Sequence, residues 1–290
     1  ALRERQVAAQ NAALELMGCR ERQVLLSGPA GTGKSRACLE NGVLLALRYP
    51  GSRGLVVRKT RASCTSAALV TLEEKVLAPG CSALRGPQRA NRFYYAFPNG
   101  SVIEVGGLDH ADRVMSTEYD WAYVQEATEL DEDDWEKLDT RLRNWRIPYQ
   151  QLIADCNPAY PGHWLYQRCL GGRTRLLESR HEDNPELWDA GEWTRRGGEY
   201  LARLDALTGV RRERLRFGRW VQAEGVVYEE WDRRVHLVGR VEVDAAYRVW
   251  AVDFGYVNPL VWQDWAVDWD GRMVLVDEIY RTSLLVEDLC

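Results

Sequence analysis

Short apolar runs alternate with longer amphipathic ones along the first half of the chain. QVLLS (23–27), GLVVRK (54–59), WAYVQE (121–126) and QLIADCNP (151–158) each hold a few consecutive large or β-branched residues and read as strands. Residues 1–20 read as a helix leading into the first of these. SRACLENGVLLALRY (35–49) carries a long apolar face at helical spacing, and helical patterning resumes over 62–77. RFYYAFPNGSVIEV (92–105) reads as a hairpin turning at Pro98, Asn99 and Gly100, and the acidic DEDDWEKLDTRLRN (131–144) as a helix opened by Asp. Strands alternating with helices predict an α/β fold with a mainly parallel sheet and flanking helices.

The pattern changes after about residue 175. Residues 185–220 read as helical, Arg-rich and Trp-containing. From 246 onward VWAVDFG, PLVWQDWAV and MVLVDEIY follow one another, the last two joined by the turn DWDGR, which predicts three strands in an antiparallel meander. The expected organisation is a core over 1–175, a helical lid or linker over 176–240, and a second domain from 246. The 45 residues left to that second domain are too few for independent folding, so the chain is expected to stop inside it.

Composition narrows the class. With 46% hydrophobic and 28% charged residues over 290 positions, the chain reads as globular, and no apolar run nears the roughly 20 residues of a membrane span. Residues 1–22 are too polar and Arg-rich for a secretory signal. The seven cysteines (19, 38, 64, 81, 156, 169, 290) include no C-x-x-C pair, and the four histidines are scattered, which argues for reduced thiols in a cytosolic setting and against structural zinc. Net charge is −5, so no global basic field announces nucleic acid. Arg195 to Arg219 holds eight arginines, readable as a solvated helical face or as a phosphate-backbone track.

The sharpest signal is GPAGTGKS at 28–35, a full G-x-x-x-x-G-K-S pattern between a strand and a helix. Gly28, Pro29, Ala30, Gly31, Thr32 and Gly33 would wrap phosphates with backbone N–H groups. Lys34 would reach the β- and γ-phosphates, and the Ser35 hydroxyl would hold Mg²⁺. The implied cofactors are ATP and Mg²⁺. Such a site also needs a second strand whose end supports the metal and orients a water. Glu126, closing WAYVQE, is typed for the water. Gln125 stands where a metal-supporting acid belongs. Its carbonyl can accept from a metal-bound water but brings no charge, which predicts weaker magnesium binding.

GPAGTGKS, VVRKTRAS, ADRVMSTEYDWAYVQEATEL and LIADCNPAYPGHWLYQ stand in the order seen in large terminase subunits, the ATP-driven DNA-packaging motors of tailed phages. HEDNPELW, LRFGRWVQAEGVVYEEWD and VDFGYVNPL resemble the downstream pattern of the same family, so the likeness spans nearly the whole chain. It departs at Gln125, where the family usually carries an acid.

The resemblance implies a P-loop NTPase of the additional-strand, catalytic-glutamate (ASCE) type, followed by a partial RNase H-like nuclease domain. Glu126 would be the catalytic glutamate and Asn157 the polar sensor coupling hydrolysis to movement. Arg113 would be a finger offered to a neighbour's γ-phosphate, or else a surface arginine. Arg58 is a further phosphate contact, and Gln6 or Gln10 an adenine reader. Asp253 would be the first carboxylate of a nuclease centre using Mg²⁺ or Mn²⁺, with Asp277 and Glu278 the nearest other acids, more readily a hairpin-edge pair. Implied partners are double-stranded DNA, the portal of a procapsid, a small terminase subunit and further copies in a ring, without a membrane. The implied setting is the host cytoplasm and not the mature virion. Other readings are a different P-loop translocase or helicase, a nucleotide-binding module with weak hydrolysis, and, more weakly, a small-molecule kinase.

Overall fold

A computed structural model describes residues 11–110, 114, 116–222, 236–237, 239, 243–255 and 259–282. Gln6, Gln10 and Arg113 lie outside these. The chain divides into two compact units, Ala1–Val227 and Tyr228–Cys290.

Unit 1 is built on strands β1 (Gln23–Ser27), β2 (Arg53–Arg58), β3 (Tyr94–Ala96), β4 (Val102–Gly107), β5 (Trp121–Val124), β6 (Gln151–Cys156) and β7 (Arg175–Glu178). They form one seven-stranded sheet in the order β3-β4-β2-β5-β6-β1-β7. Every pairing is parallel except β3 with β4, the expected hairpin. All residues of β1, β5 and β6 are buried. Strands covered on both faces lose hydrophobic alternation and become continuous apolar runs, which is why these segments were legible.

Helices α1 (Ala12–Gly18) and α2 (Lys34–Arg48) lie on one face of the sheet, where Leu16, Leu39, Val43 and Leu45 join Trp121 and Tyr123 in one apolar cluster. Helix α3 (Arg61–Ser66), helix α4 (Ala68–Thr71) and a wide turn over Leu72–Val76 replace the single helical stretch read over 62–77. On the opposite face α5 (Glu132–Thr140) and α6 (Trp164–Leu170) bring Trp135, Leu138 and Leu165 against Ala122, Val124 and Leu152. Helix α5 begins as expected, with the Asp131 side chain accepting from Asp134 N–H at 2.8 Å. It stops at Thr140, short of 144, because the Arg141 carbonyl is taken by Tyr119 N–H and Asn144 N–H turns to the Tyr119 carbonyl.

Two elements were not anticipated. Strand β7 (sequence RLLE) is an edge strand with one buried residue, too short and too polar to stand out. Within the stretch read as helical, Trp188–Asp189 (β8) and Glu192–Trp193 (β9) form a two-residue hairpin, with Ala190 and Gly191 both at positive φ, the backbone that tight hairpins require. Helices α7 (Arg195–Asp205) and α8 (Gly209–Phe217) follow.

Unit 2 contains β10 (Ala245–Asp253), β11 (Leu260–Asp268) and β12 (Met273–Arg281) in an antiparallel meander, as the sequence predicts. Asp268 organises the second turn by accepting from Asp270 N–H and Arg272 N–H, both at 2.9 Å. Trp250, Phe254, Trp269 and Tyr280 are exposed.

Candidate nucleotide site

In the sheet order, β6 stands between β1, which runs into the glycine-rich loop, and β5, which ends before Gln125 and Glu126. The carboxyl ends of three adjacent parallel strands therefore open onto one place, the usual location of a site in an open α/β sheet. A cleft of about 330 Å³ lies there, lined among others by Gly31, Thr32, Lys34, Ser35, Glu126, Asp155 and Asn157. Residues distant in sequence are brought to one wall by strand order alone.

The loop is held open by its surroundings. Gly31 and Gly33 adopt φ of 77° and 89°, backbone that glycine takes without cost. A Cβ on Gly28 would collide with the Ser179 carbonyl oxygen. His181 Nε2 lies 3.0 Å from the Ala30 carbonyl, and Asn184 donates to the Gly31 carbonyl at 2.7 Å. Ala30 N–H donates to the Leu215 carbonyl of α8 at 2.9 Å. The segment after β7 and the end of α8 thus brace the loop from outside. The sequence contained HEDNPELW as a pattern, but only the fold assigns it this role.

Lys34 is buried and donates to the carbonyls of Gly28 (3.0 Å) and Pro29 (2.5 Å) and to Asn157 Oδ1 (3.2 Å). Burial lowers its pKa, while the Asp155 charge opposes that shift. The ammonium is thus held by groups that a phosphate can replace. Glu126 is half-buried. Burial, and then the neighbouring Asp155, raise its carboxyl above the ordinary range, against Lys34 and Arg58. A carboxylate moved towards neutrality is a better proton acceptor. Glu126 also sits in the left-handed region, at φ 52° and ψ 54°, a strained conformation that clusters at functional positions.

Asp155 was not singled out in the sequence. It is buried near the end of β6 and accepts from Ser35 Oγ (2.5 Å), Tyr123 Oη (3.0 Å) and Glu126 N–H (3.1 Å). The available signal was an acid following the apolar run LIA in the strand QLIADC, since a buried carboxylate requires partners. Gln125 is not among the residues lining the cleft. It is buried, its N–H donates to the Val57 carbonyl at 2.9 Å, and its side-chain oxygen has no hydrogen-bond partner among the described residues. Arg58 is also outside the lining and forms a two-point pair with Glu129 at 2.9 and 2.5 Å.

The remaining candidates scatter. Strand register places Asp277 opposite Asp264 and Trp250, three residues along from Asp253 and hence on the other face of the sheet. Glu278 shares the face of Asp253 but lies two strands, or about 10 Å, across the sheet, and accepts from Gln263 at 2.6 Å. Among the described residues, no group of three His, Cys, Asp or Glu is arranged to hold a metal. In the arginine-rich stretch, Arg195 pairs with Glu199, Arg212 and Arg216 with Asp205, and Arg219 with Glu213. That pairing fits a solvated face better than a track for DNA phosphates. No helix among the described residues is long and apolar enough to cross a membrane.

A mainly parallel sheet with a P-loop between β1 and α2, and carboxylates on neighbouring strand ends, defines the P-loop class of nucleotide-binding α/β proteins. The sequence profile of the phage terminase large subunit family matches residues 20–190, and the chain belongs to that family. It is similar in structure to the large terminase of a thermophilic bacteriophage, with 19% identity over 93% of this chain and 68% of that one and a TM-score of 0.61. The same phage protein in complex with ADP matches at 20% identity, with the same coverage and a TM-score of 0.60. The ATPase domain of the Thermus phage P74-26 large terminase matches at 17% identity over 72% of this chain and 93% of that one, with a TM-score of 0.53. No curated protein is a significant match.

Proposed function

We propose that the chain hydrolyses ATP to drive double-stranded viral DNA into a procapsid, as the large terminase subunit of a packaging motor. It would act in the host cytoplasm as a ring of copies on the portal, with a small terminase subunit as partner and no place in the mature virion. The observation that carries the ATPase reading is the convergence of Lys34, Ser35, Glu126 and Asn157 on one cleft at the carboxyl ends of β1, β5 and β6.

The chemistry follows from these groups. Loop N–H groups and the start of α2 receive the phosphates. Lys34 exchanges its contacts with the Gly28 and Pro29 carbonyls for phosphate oxygens. In doing so it releases Asn157, so that occupancy of the loop is felt at the end of β6. Glu126 orients the attacking water and accepts its proton. Oxygen donors from Ser35, Asp155 and Glu126 share the cleft, a set suited to Mg²⁺. Ser35 would hold the ion, which when bound offsets charge on the transferred phosphate.

Unit 2 is read as the first strands of an RNase H-like nuclease domain with Asp253 as one metal acid. A two-metal centre needs several acids within a few ångströms of each other, and among the described residues no group of three such ligands is arranged to hold a metal. The ATPase reading is tested with Lys34→Ala and Glu126→Ala. The first should lose nucleotide binding by calorimetry. The second should keep binding and lose phosphate release. Hydrolysis by Glu126→Ala at the unmodified rate would overturn the assignment.

A further inference from the structure

The family's usual acid is missing at position 125, and the glutamine found there has no contact with the cleft. A magnesium site on the P-loop serine needs an acceptor for the serine proton, because a hydroxyl oxygen that gives its lone pair to a cation turns its O–H outward. In this chain that acceptor is present on a different strand. Asp155 Oδ2 lies 2.5 Å from Ser35 Oγ. Its other oxygen takes the Tyr123 hydroxyl and the Glu126 N–H. One buried carboxylate therefore joins the P-loop serine, strand β5 and the strained backbone of the water-orienting glutamate.

We propose that Asp155 is the metal-supporting carboxylate of this site, replacing from β6 the acid absent from the end of β5 at Gln125. The topology makes the exchange feasible. Strand β6 lies between β1 and β5, with Ala154 opposite both Leu25 and Val124, so an acid one residue further along faces the gap between loop and glutamate. Tyr123 fills the space on the β5 side and fixes the carboxylate by its hydroxyl. The negative charge that the sequence lacks at position 125 is thus supplied within hydrogen-bond reach of Ser35. The inference rests on the nucleotide-binding reading and adds to it the source of the metal's second support. Asp155 also acts as a positioning residue for Glu126, through that residue's N–H.

The test measures ATPγS binding by calorimetry in Mg²⁺ and in EDTA, for the unmodified chain, Asp155→Asn, Gln125→Ala and Ser35→Ala. The gain in affinity on adding Mg²⁺ is the readout, and it requires no turnover. Asp155→Asn is nearly isosteric, and loss of a charge-assisted hydrogen bond should cut that gain by about tenfold or more. Affinity in EDTA should be kept, which also reports that the variant is folded. Gln125→Ala should retain the full gain. Ser35→Ala should lose it, and Asp155→Asn in that background should remove nothing further, since the two act as one unit. An Asp155→Asn chain that keeps the full Mg²⁺ gain overturns the proposal, and a Gln125→Ala chain that loses it returns the role to Gln125. If the unmodified chain binds ATPγS in neither condition, the nucleotide reading fails and this inference with it. A crystal structure of the unmodified chain with Mg²⁺ and ATPγS decides the matter without a variant. Asp155 bonded to Ser35 or to a metal-bound water supports the assignment, and Asp155 turned away from both overturns it.

Discussion

At residue scale, Glu126 combines the proposed water-orienting carboxylate with a backbone in the left-handed region, and the two can be separated. A non-glycine residue in the left-handed region carries a penalty of about 1 kcal/mol or somewhat more. Glu126→Ala and Glu126→Gly remove the same carboxylate, but only glycine relieves φ 52°. Both variants should lose turnover, and Glu126→Gly should unfold at higher urea than Glu126→Ala, by about 1 kcal/mol. Equal urea midpoints would mean that the backbone there is not strained. A second residue-scale effect concerns His181, buried against the loop carbonyl of Ala30. Burial, then Arg216, lowers its pKa from 6.5. The unfolded chain therefore takes up the proton first. Stability from this group is complete above about pH 6.5 and declines as pH falls below that value towards the lowered folded pKa. Thermal midpoints measured from pH 7.5 to 5 should fall less steeply for His181→Gln, whose amide can still donate to Ala30. An unchanged slope would show that His181 is not the group responsible.

At element scale, the packing of α2 and β2 against β5 is set by one indole. Trp121 is fully buried, and a Cβ on Gly54 of β2 would fall within its ring system, while one on Gly42 of α2 would lie 2.5 Å from it. The two glycines admit the ring, which fixes how closely helix and strand approach. Gly54→Ala should destabilise the protein by about 1–3 kcal/mol, the usual range for overpacking. Trp121→Phe makes room and also removes an indole N–H that has no partner among the described residues. The double variant should therefore lose less than the sum of the two single variants in urea unfolding. Strict additivity would show that the clash is relieved elsewhere.

At the scale of the whole molecule, the cleft is lined by Lys34, Lys75 and Arg36 together with Ser35 and carboxylates, and Arg36 is paired with Glu40. Arg58, the phosphate-contact candidate just outside it, is committed to Glu129. In the proposed ring a neighbouring copy can add an arginine to these cations, which is the role the family resemblance gives Arg113. Arginine fingers contribute about 10³–10⁵ in rate in enzymes where they act. The isolated chain should accordingly hydrolyse ATP slowly at low concentration. Arg113→Ala and Glu126→Ala chains, each inactive alone, should recover phosphate release when mixed, because each supplies what the other lacks. No recovery, with a specific rate independent of protein concentration, would place the finger within the same chain or elsewhere.

The sequence by itself determined the fold class, the P-loop and the order of the main strands along the chain. Those features depend on local patterns: continuous apolar runs for strands buried on both faces, glycine spacing for the loop, and Asp131 as a helix start. It also marked Lys34, Ser35 and Glu126, because each is attached to a recognisable strand or loop end, while Asn157 came from the family resemblance. Edge strand β7 and the β8–β9 hairpin escaped, since these strands are only four and two residues long, mostly unburied, and the hairpin depends on turn geometry. What only the tertiary structure decided is which groups from different strands meet. Strand order within the sheet, a non-local property, sets Asp155 against Ser35 and leaves Gln125 outside the cleft. Register, equally non-local, separates Asp277 from Asp253. A residue's type and neighbours in sequence can show that it could serve a metal. Whether it does depends on the distance to a hydroxyl that lies 120 residues away.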